Sequence, residues 1–289
     1  MSLLNPLQLG HHQIYAASLG GLYTSLYVPQ LDILLDVGIA IRRAASVSHL
    51  FITHAHLDHI GALPSLLGMR GMLGKRDQKL NIYLPKPLIS DLEITLQALS
   101  RLHSWPLDVR LHPMEKGQEI QLRSNLWVRA LQTFHPVPSL GYLFFDRVKK
   151  LKKEYLHLEG QQIRQMKHDG VDLFALEERP QLAYLTDTLI EALKQNPIAL
   201  QADTLILECT FLNQIKPIAT ARAGCHIHLD ELKLYAPKIQ SKNVLLMHFS
   251  QIHTPQEVRE YCHQALDPIL GDRLHLCLPS HSESNNWWI

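Results

Sequence analysis

The sequence carries Thr53-His54-Ala55-His56-Leu57-Asp58-His59 immediately after the apolar segment His49-Leu50-Phe51-Ile52. Imidazole nitrogens and carboxylate oxygens are ligands that a borderline cation such as zinc prefers. Alternate side chains of a strand point to opposite faces, so the chain must turn here for the three imidazoles and the carboxylate to converge. The alternative is a histidine-rich surface loop, but such a loop rarely supplies four ligand-type groups at this spacing. The stretch therefore predicts a metal site at the end of a buried strand.

The composition is that of a globular chain, with 289 residues, 46% hydrophobic residues and a net charge of +1. This length is enough for one large core, and contact with nucleic acid would need a local basic patch. The four cysteines show no CxxC pairing, which suits a reducing compartment. We expect a cytoplasmic protein, because Met1–Pro6 lacks the start of a secretory signal and no run of about 18 apolar residues could span a membrane.

Short apolar strands come first as a meander and later alternate with helices. The pattern predicts helices that include Ile60–Met72, Gly160–Lys167 and Pro255–Ala265, and strands that include Gly141–Phe145 and Leu182–Leu185. This order is typical of two sheets inside with helices outside. Residues 147–180 are mostly polar and begin with a lysine-rich run. We interpret them as an arm-like insertion in a single domain that spans residues 1–289.

Three more candidate ligands follow predicted strands elsewhere in the chain, namely His135, Asp187 and His248. Ligand sites of α/β folds gather at the C-terminal ends of strands. Each residue alone has an ordinary alternative: a turn residue, a helix N-cap and a buried histidine, respectively. A site for two cations needs about seven ligands, and these three complete the four of the first stretch. Asp36 also ends an apolar strand, where it would either hold a ligand imidazole or form a turn before Gly38.

With these residues assembled, the chain resembles the metallo-β-lactamase superfamily and, within it, the ribonuclease Z family in the short form found in plants. The resemblance covers about Ser18 to Ser250. The narrower likeness is carried by Thr133-Phe134-His135, Lys150–Tyr155, Gly170-Val171-Asp172, Glu208-Cys209-Thr210-Phe211, Cys225-His226-Ile227-His228 and His248-Phe249-Ser250. Three features depart from the family pattern: Thr186 and Cys225 stand where the family has glycine, and Gln251-Ile252-His253 replaces residues that end in Arg-Tyr.

The resemblance implies an αββα sandwich of two mixed sheets flanked by helices. It also implies two Zn²⁺ ions per chain, for which Mn²⁺ or iron could substitute. One cation would take His54, His56, His135 and Asp187, and the other would take Asp58, His59, His248 and the shared Asp187. Asp36 would accept a hydrogen bond from the ring nitrogen of a ligand imidazole that does not bind the cation.

The resemblance further implies which residues move protons. Asp58 would also orient or deprotonate the attacking water, and His226, supported by Glu208, would protonate the leaving 3′-oxygen. The alternative for His226 is a surface residue at a helix start. For Glu208 it is a strand-end carboxylate paired with a lysine.

The implied function is an endoribonuclease that hydrolyses a phosphodiester to remove the 3′ trailer of precursor tRNA, in a homodimer. The candidate RNA-binding residues are Lys149, Lys150, Lys152 and Lys153, which could grip phosphates or form a solvated face. One alternative is a hydrolase of a small phosphodiester, cyclic nucleotide or thioester. Another is a non-catalytic RNA-binding relative or an iron redox protein. All seven ligand positions are retained, which argues against a pure binding module, and the length leaves no room for a flavin domain.

Overall fold

The computed structural model describes residues 6–74 and 78–278, and two seven-stranded sheets lie at its centre. The first sheet follows chain order: β1 (Pro6–Leu9), β2 (His12–Leu19), β3 (Tyr23–Val28), β4 (Ile33–Leu35), β5 (His49–Phe51), β6 (Leu80–Pro85) and β7 (Val109–Met114). Strands β1 to β4 pair antiparallel, and β4 to β7 pair parallel.

The second sheet holds β8 (Glu119–Gln121), β9 (Leu126–Gln132), β10 (Leu140–Leu151), β11 (Phe174–Leu185), β12 (Thr204–Glu208), β13 (Asn243–Met247) and β14 (Leu274–Leu276). Its order is β14-β13-β12-β11-β10-β9-β8. Strands β8 to β11 pair antiparallel, and β11 to β14 pair parallel. Each sheet is therefore mixed, as the resemblance implies.

The α-helices of the described residues are α1 (Leu57–Ile60), α2 (Leu63–Met72), α3 (Ile89–Leu102), α4 (Gly160–His168), α5 (Glu191–Gln195), α6 (Ile218–Ala223), α7 (Leu229–Tyr235) and α8 (Pro255–Leu270). Within residues 6–74 and 78–278, none of them has the length and apolar character needed to cross a membrane. The predicted helix Ile60–Met72 is interrupted after Ile60, so the turn behind the histidine stretch forms a separate short helix, α1.

Three apolar layers hold these elements together. Phe51, Tyr142 and Phe144 are fully buried between the two sheets. Residues of α2 and α3 pack on the outer face of the first sheet, and residues of α7 and α8 pack on the outer face of the second. Burying one large apolar side chain contributes about 1.5–3 kcal/mol, so these layers supply most of the favourable free energy of folding. The predicted αββα architecture is confirmed.

Residues 147–180, which we call the arm, contain the distal halves of two long strands. Strands β10 and β11 continue beyond the predicted Gly141–Phe145 and Leu182–Leu185, and their pairing runs out to Leu151 opposite Phe174. Helix α4 lies in the connection between them. The first predicted strand ends too early and the second begins too late, because a hairpin that leaves the core loses the apolar alternation from which strands are recognised.

Candidate metal centre

The candidate ligands lie where strands of both sheets end. Asp36 follows β4, Asp187 follows β11 two residues after its end, and His248 follows β13. These three residues have positive φ angles of 53°, 46° and 60°. Non-glycine residues are uncommon in this conformation, and they collect at functional sites where the surrounding structure holds them in place. The backbone at this edge therefore holds these three residues in a conformation that directs their side chains toward the candidate site.

Gly38 allows the segment after β4 to lie directly against α1. A Cβ atom at this position would lie 1.8 Å from the carbonyl oxygen of Asp58 and 2.5 Å from the backbone nitrogen of Thr24. The backbone nitrogen of Val37 donates to the carbonyl oxygen of His59 at 2.7 Å. This close approach brings Asp36 and the ligand residues of α1 together.

The first donor set consists of His54, His56, His135 and Asp187. Nδ1 of His56 lies 3.1 Å from Nε2 of His54 and 3.1 Å from Nε2 of His135. Oδ2 of Asp187 lies 3.5 Å from Nε2 of His54 and 3.9 Å from Nε2 of His135. His56 is exposed, so this set is open to solvent on one side.

The second donor set consists of Asp58, His59, Asp187 and His248. Nε2 of His59 lies 3.4 Å from Nε2 of His248. Oδ2 of Asp58 lies 3.6 Å and 3.4 Å from these two nitrogens, and Oδ1 of Asp187 lies 3.2 Å and 3.3 Å from them. Asp187 thus directs one carboxylate oxygen to each set.

The spacing of the donors fits tetrahedral cation sites. Four donors at about 2.0–2.1 Å from a central cation are separated from one another by about 3.3 Å. Four of the six donor pairs in the first set are separated by 3.1–3.9 Å, and five of the six in the second by 3.2–3.6 Å. Imidazole and carboxylate donors at this spacing suit a divalent cation, and the two sets together suit a pair of cations.

Hydrogen bonds at the outer ring nitrogens orient the imidazoles. Nδ1 of His59 lies 2.9 Å from Oδ2 of Asp36, and Nδ1 of His248 lies 3.1 Å from Oγ1 of Thr210. A carboxylate can only accept, so His59 donates through Nδ1 and keeps the lone pair of Nε2 for a cation. Asp36 is fully buried and also accepts from the backbone N–H of Thr53 and from the hydroxyl of Tyr184.

Three of the donors have pKa values that are shifted in the direction that favours cation binding. Burial and the neighbouring His59 lower the pKa of His54 to about 2, and burial lowers the pKa of His135 to about 4. Burial alone would raise the pKa of Asp187, but His248 and His59 hold it well below its usual value. Neutral imidazoles and ionised carboxylates are the forms that bind metals.

His59 is different, because its pKa is raised. Burial lowers the pKa of this imidazole, but the carboxylates of Asp187 and Asp36 outweigh burial and raise it well above its ordinary value. A proton and a cation therefore compete for the Nε2 atom of His59.

His226 and Glu208 form a pair beside the second donor set. Nδ1 of His226 lies 3.2 Å from both carboxylate oxygens of Glu208, and the rings of His226 and His248 stack with centroids 5.4 Å apart. Burial would lower the pKa of His226, but Glu208 raises it to about 9. The ring is therefore protonated at neutral pH, and Nε2–H remains as its second donor. Glu208 is fully buried and also accepts from the backbone N–H of Thr188 and Ile227.

Two residues that hydrogen-bond to the candidate site residues, Thr210 and Gly21, were not predicted from the sequence. Thr210 donates from Oγ1 to Oε2 of Glu208 at 2.6 Å and lies beside Nδ1 of His248, so it joins the pair to the donor set. It belongs to the quoted Glu208–Phe211 motif, which was a usable signal. The backbone N–H of Gly21 donates to Oδ2 of Asp58 at 2.9 Å. Gly21 lies in a turn between β2 and β3, where the sequence carries no such signal.

The candidate RNA-binding lysines do not lie at the metal centre. Strand β10 begins at Leu140, whose N–H donates to the carbonyl oxygen of Thr53. Nine residues at about 3.3 Å each place Lys149 roughly 30 Å farther along the strand. Lys149, Lys150 and Lys153 are exposed, and Lys150 pairs with Glu177 and Lys152 with Asp172.

Known proteins share both the sequence and the fold. The model of the beta-lactamase superfamily domain matches residues 30–249. The chain is 37% identical over 256 residues to the chloroplastic tRNase Z TRZ2 of Arabidopsis thaliana, covering 88% of this chain and 72% of that protein. It is 34% identical over 270 residues to tRNase Z TRZ1 of the same plant, covering 93% and 95% of the two chains.

Two solved structures share the fold at low sequence identity. The metallo-β-lactamase fold protein YhfI of Bacillus subtilis superposes with a TM-score of 0.61 at 17% identity, covering 90% of this chain and 93% of that one. The short form of human tRNase Z superposes with a TM-score of 0.52 at 19% identity, covering 86% and 91%. The matched superfamily domain and the extent of identity to the two plant proteins lead to one conclusion: this chain belongs to the β-lactamase superfamily and, within it, to the tRNase Z family.

Proposed function

We propose that this chain is a zinc-dependent endoribonuclease that removes the 3′ trailer of precursor tRNA by hydrolysing a phosphodiester bond. The observation that carries the proposal is the pair of donor sets that share Asp187, with the His226–Glu208 pair beside them. Relatives named tRNase Z or ribonuclease Z, with which the chain shares most of its length, support the same substrate class.

In the proposed reaction, the protein orients the water and supplies a proton to the leaving group. Two bound zinc ions would polarise the phosphodiester and lower the pKa of a water molecule. Asp58, whose Oδ2 is held by the N–H of Gly21, would accept a hydrogen bond from that water through its other carboxylate oxygen and orient it for in-line attack. His226 donates its Nε2 proton to the leaving 3′-oxygen, and Glu208 stabilises the protonated ring until transfer.

A second candidate is a hydrolase of a small phosphodiester, which one local feature favours. Ile252 is 45% exposed at the position where the resemblance has a cationic arginine. The adjacent Gln251 donates from its side-chain amide to the carbonyl oxygen of Gly20. A neutral side chain at this position cannot pair with a phosphate of a long RNA as a cation would.

Cleavage assays with two substrates distinguish these functions. Zinc-loaded protein should cut a 3′-extended precursor tRNA at the 3′ side of the discriminator nucleotide, leaving a 3′-hydroxyl on the tRNA. Bis(p-nitrophenyl) phosphate serves as the small diester. Hydrolysis of the small diester together with an intact precursor would overturn the tRNA proposal and favour the second candidate.

We also propose that the arm is an inserted element of a single domain and that its lysines bind the precursor far from the cleaved bond. Lys149 and Lys153 are exposed, and sequence-independent affinity for RNA comes mainly from cationic side chains that neutralise phosphates. A Lys149→Ala/Lys153→Ala variant should bind the precursor more weakly. The logarithm of its binding constant, plotted against the logarithm of the salt concentration, should have a slope smaller in magnitude by about one for each phosphate that the variant no longer neutralises. Hydrolysis of the small diester should not change.

The matched control for the arm variant removes two lysines elsewhere. Lys79 and Lys86 lie near β6 and pair with Asp108 and Glu115. A Lys79→Ala/Lys86→Ala variant should keep the salt slope of the wild type. If both double variants lower the slope equally, the arm has no special role in RNA binding.

We further propose a homodimer formed through the outer face of α1, α2 and α3, next to the metal centre. Leu57 on α1, Met72 on α2, and Ile94 and Leu102 on α3 are 79%, 81%, 63% and 84% exposed. Exposed apolar side chains in such a group are typical of an interface between proteins. Sedimentation should give twice the chain mass of 33.0 kDa.

Charged substitutions test where the two copies meet. Ile94→Asp/Leu102→Asp should produce monomers by placing charges in the interface. Leu234→Asp is the control, since Leu234 is 82% exposed on α7, away from this face. A monomeric wild type, or dimers in the double variant, would contradict the proposed interface.

We place the protein in a reducing compartment, the cytoplasm. Cys209, Cys225, Cys262 and Cys277 are all free thiols in this fold, which suits a compartment that keeps cysteines reduced.

A further inference from the structure

Thr186 departs from the glycine of the family pattern and lies directly beside the shared ligand. Its side chain is buried, with 1% of the residue exposed. Oγ1 of Thr186 donates a hydrogen bond to Oδ1 of Asp187 at 2.9 Å. Glycine has no hydroxyl, so a chain with glycine here cannot form this bond.

The bond falls on only one of the two carboxylate oxygens. Oδ1 of Asp187 faces the second donor set, at 3.2 Å from His59 and 3.3 Å from His248. Oδ2 faces the first donor set, at 3.5 Å from His54 and 3.9 Å from His135. The hydroxyl of Thr186 therefore bonds to a carboxylate whose two oxygens serve the two sets.

The hydrogen bond from Thr186 has two opposing effects on Asp187 as a metal ligand. The hydroxyl withdraws some electron density from Oδ1, which weakens Oδ1 as a ligand. It also fixes the rotation of the carboxylate, and metal sites tolerate ligand displacements of only about 0.2 Å. A neutral hydroxyl removes little charge from a carboxylate, whereas free rotation of the planar carboxylate would carry both of its oxygens out of that tolerance. The orienting effect is therefore the larger one.

We propose that Thr186 is a positioning residue that orients the shared Asp187 carboxylate and thereby sets the cation affinity of both donor sets. This inference rests on the proposed two-cation centre. Asp187 gives one oxygen to each set, so a single substitution at Thr186 should weaken both cation sites.

The test is a zinc titration of metal-free protein against a competing chromophoric chelator, which gives two dissociation constants. Thr186→Val removes the hydroxyl at nearly constant volume, and Thr186→Ser retains it. Partners of metal ligands contribute about 10- to 100-fold to affinity. Thr186→Val should therefore raise both dissociation constants by about that factor, while Thr186→Ser should match the wild type.

Background variants test each site separately. In a His248→Ala protein, whose second donor set is damaged, Thr186→Val should still weaken cation binding at the first set. In a His135→Ala protein, it should still weaken cation binding at the second set. An effect in only one of the two backgrounds would show that the hydroxyl does not act by orienting the whole carboxylate. If the valine variant does not fold, Thr186→Gly removes the hydroxyl without adding bulk and provides the same comparison.

Failure of this inference and failure of the proposed function give different results. Fewer than two zinc ions bound by the wild type would overturn the two-cation centre itself. Two ions in the wild type, with both constants unchanged in Thr186→Val, would overturn the role of Thr186 and leave the function standing. A rise in one constant only would also overturn it, because rotation of the carboxylate moves both of its oxygens.

Discussion

An Asp187→Asn variant is expected to lose both cations and with them nearly all hydrolysis. The substitution keeps the size of the side chain but removes the negative charge that both donor sets share. Breaking a buried charge pair costs about 3–5 kcal/mol, which corresponds to roughly a 10²- to 10⁴-fold loss of affinity at 1.36 kcal/mol per tenfold. Elemental analysis after dialysis should therefore give about two zinc ions per chain for the wild type and fewer than one for the variant.

Asp267→Asn is the matched control, because Asp267 lies on α8 with a half-exposed side chain and pairs with His263. It should keep both zinc ions and full activity. Retention of two zinc ions by Asp187→Asn would mean that this carboxylate is not the shared ligand. Circular dichroism should show that both variants fold, since the three apolar layers do not depend on Asp187.

His226→Ala should lower kcat for the precursor tRNA by about 10²- to 10⁴-fold, the usual contribution of a general acid. The variant should still bind two zinc ions, because His226 belongs to neither of the two sets that share Asp187. The pKa of His226 is raised, so the proton is present below that pKa and is lost as pH rises through it. Wild-type activity should fall over that range, and this fall should be absent from the residual activity of the variant.

The choice of leaving group separates proton donation from a structural role. The p-nitrophenolate ion leaves readily without a proton, so His226→Ala should hydrolyse bis(p-nitrophenyl) phosphate nearly as fast as the wild type. An equal loss on both substrates would show that His226 does not act as the acid. The control is His263→Ala on the surface of α8, which should match the wild type on both substrates.

The sequence predicts the parts of this molecule that depend on local pattern. The histidine stretch lies at the end of an apolar strand, and strand ends of a mixed sandwich meet at one edge. Asp36, His135, Asp187 and His248 could therefore be placed near that edge from their positions in the sequence. The start of α8 is local too: Pro255 occupies the first turn, and Thr254 and Glu257 form a capping box.

Features that depend on tertiary packing were not predictable in the same way. Helix α8 continues past the predicted end at Ala265 and through Pro268, because Leu266 and Leu270 are buried against the second sheet. Helix α6 was not predicted at all, since its six residues carry too little apolar pattern. The hydroxyl of Tyr184 donates a hydrogen bond to Asp36, which lies 148 positions away in the sequence, and no local pattern indicates that bond.

The position of a lysine in the sequence also does not reveal its ion pairs. Lys149, Lys150, Lys152 and Lys153 form one basic run, yet two of them pair with acidic residues of the returning strand and its approach. Those partners, Glu177 and Asp172, became visible only once the pairing of β10 with β11 was known. The RNA-binding hypothesis therefore rests mainly on the other two lysines.

The proposed function depends on two cations, one in each donor set, that share Asp187 as a ligand. X-ray diffraction at the zinc absorption edge, from crystals of the zinc-loaded protein, tests it most directly. Two anomalous peaks per chain are expected about 3.5–4 Å apart, each about 2.0–2.2 Å from an oxygen of Asp187. A single peak, or two peaks of which one lies too far from Asp187 to be bound by it, would contradict the account.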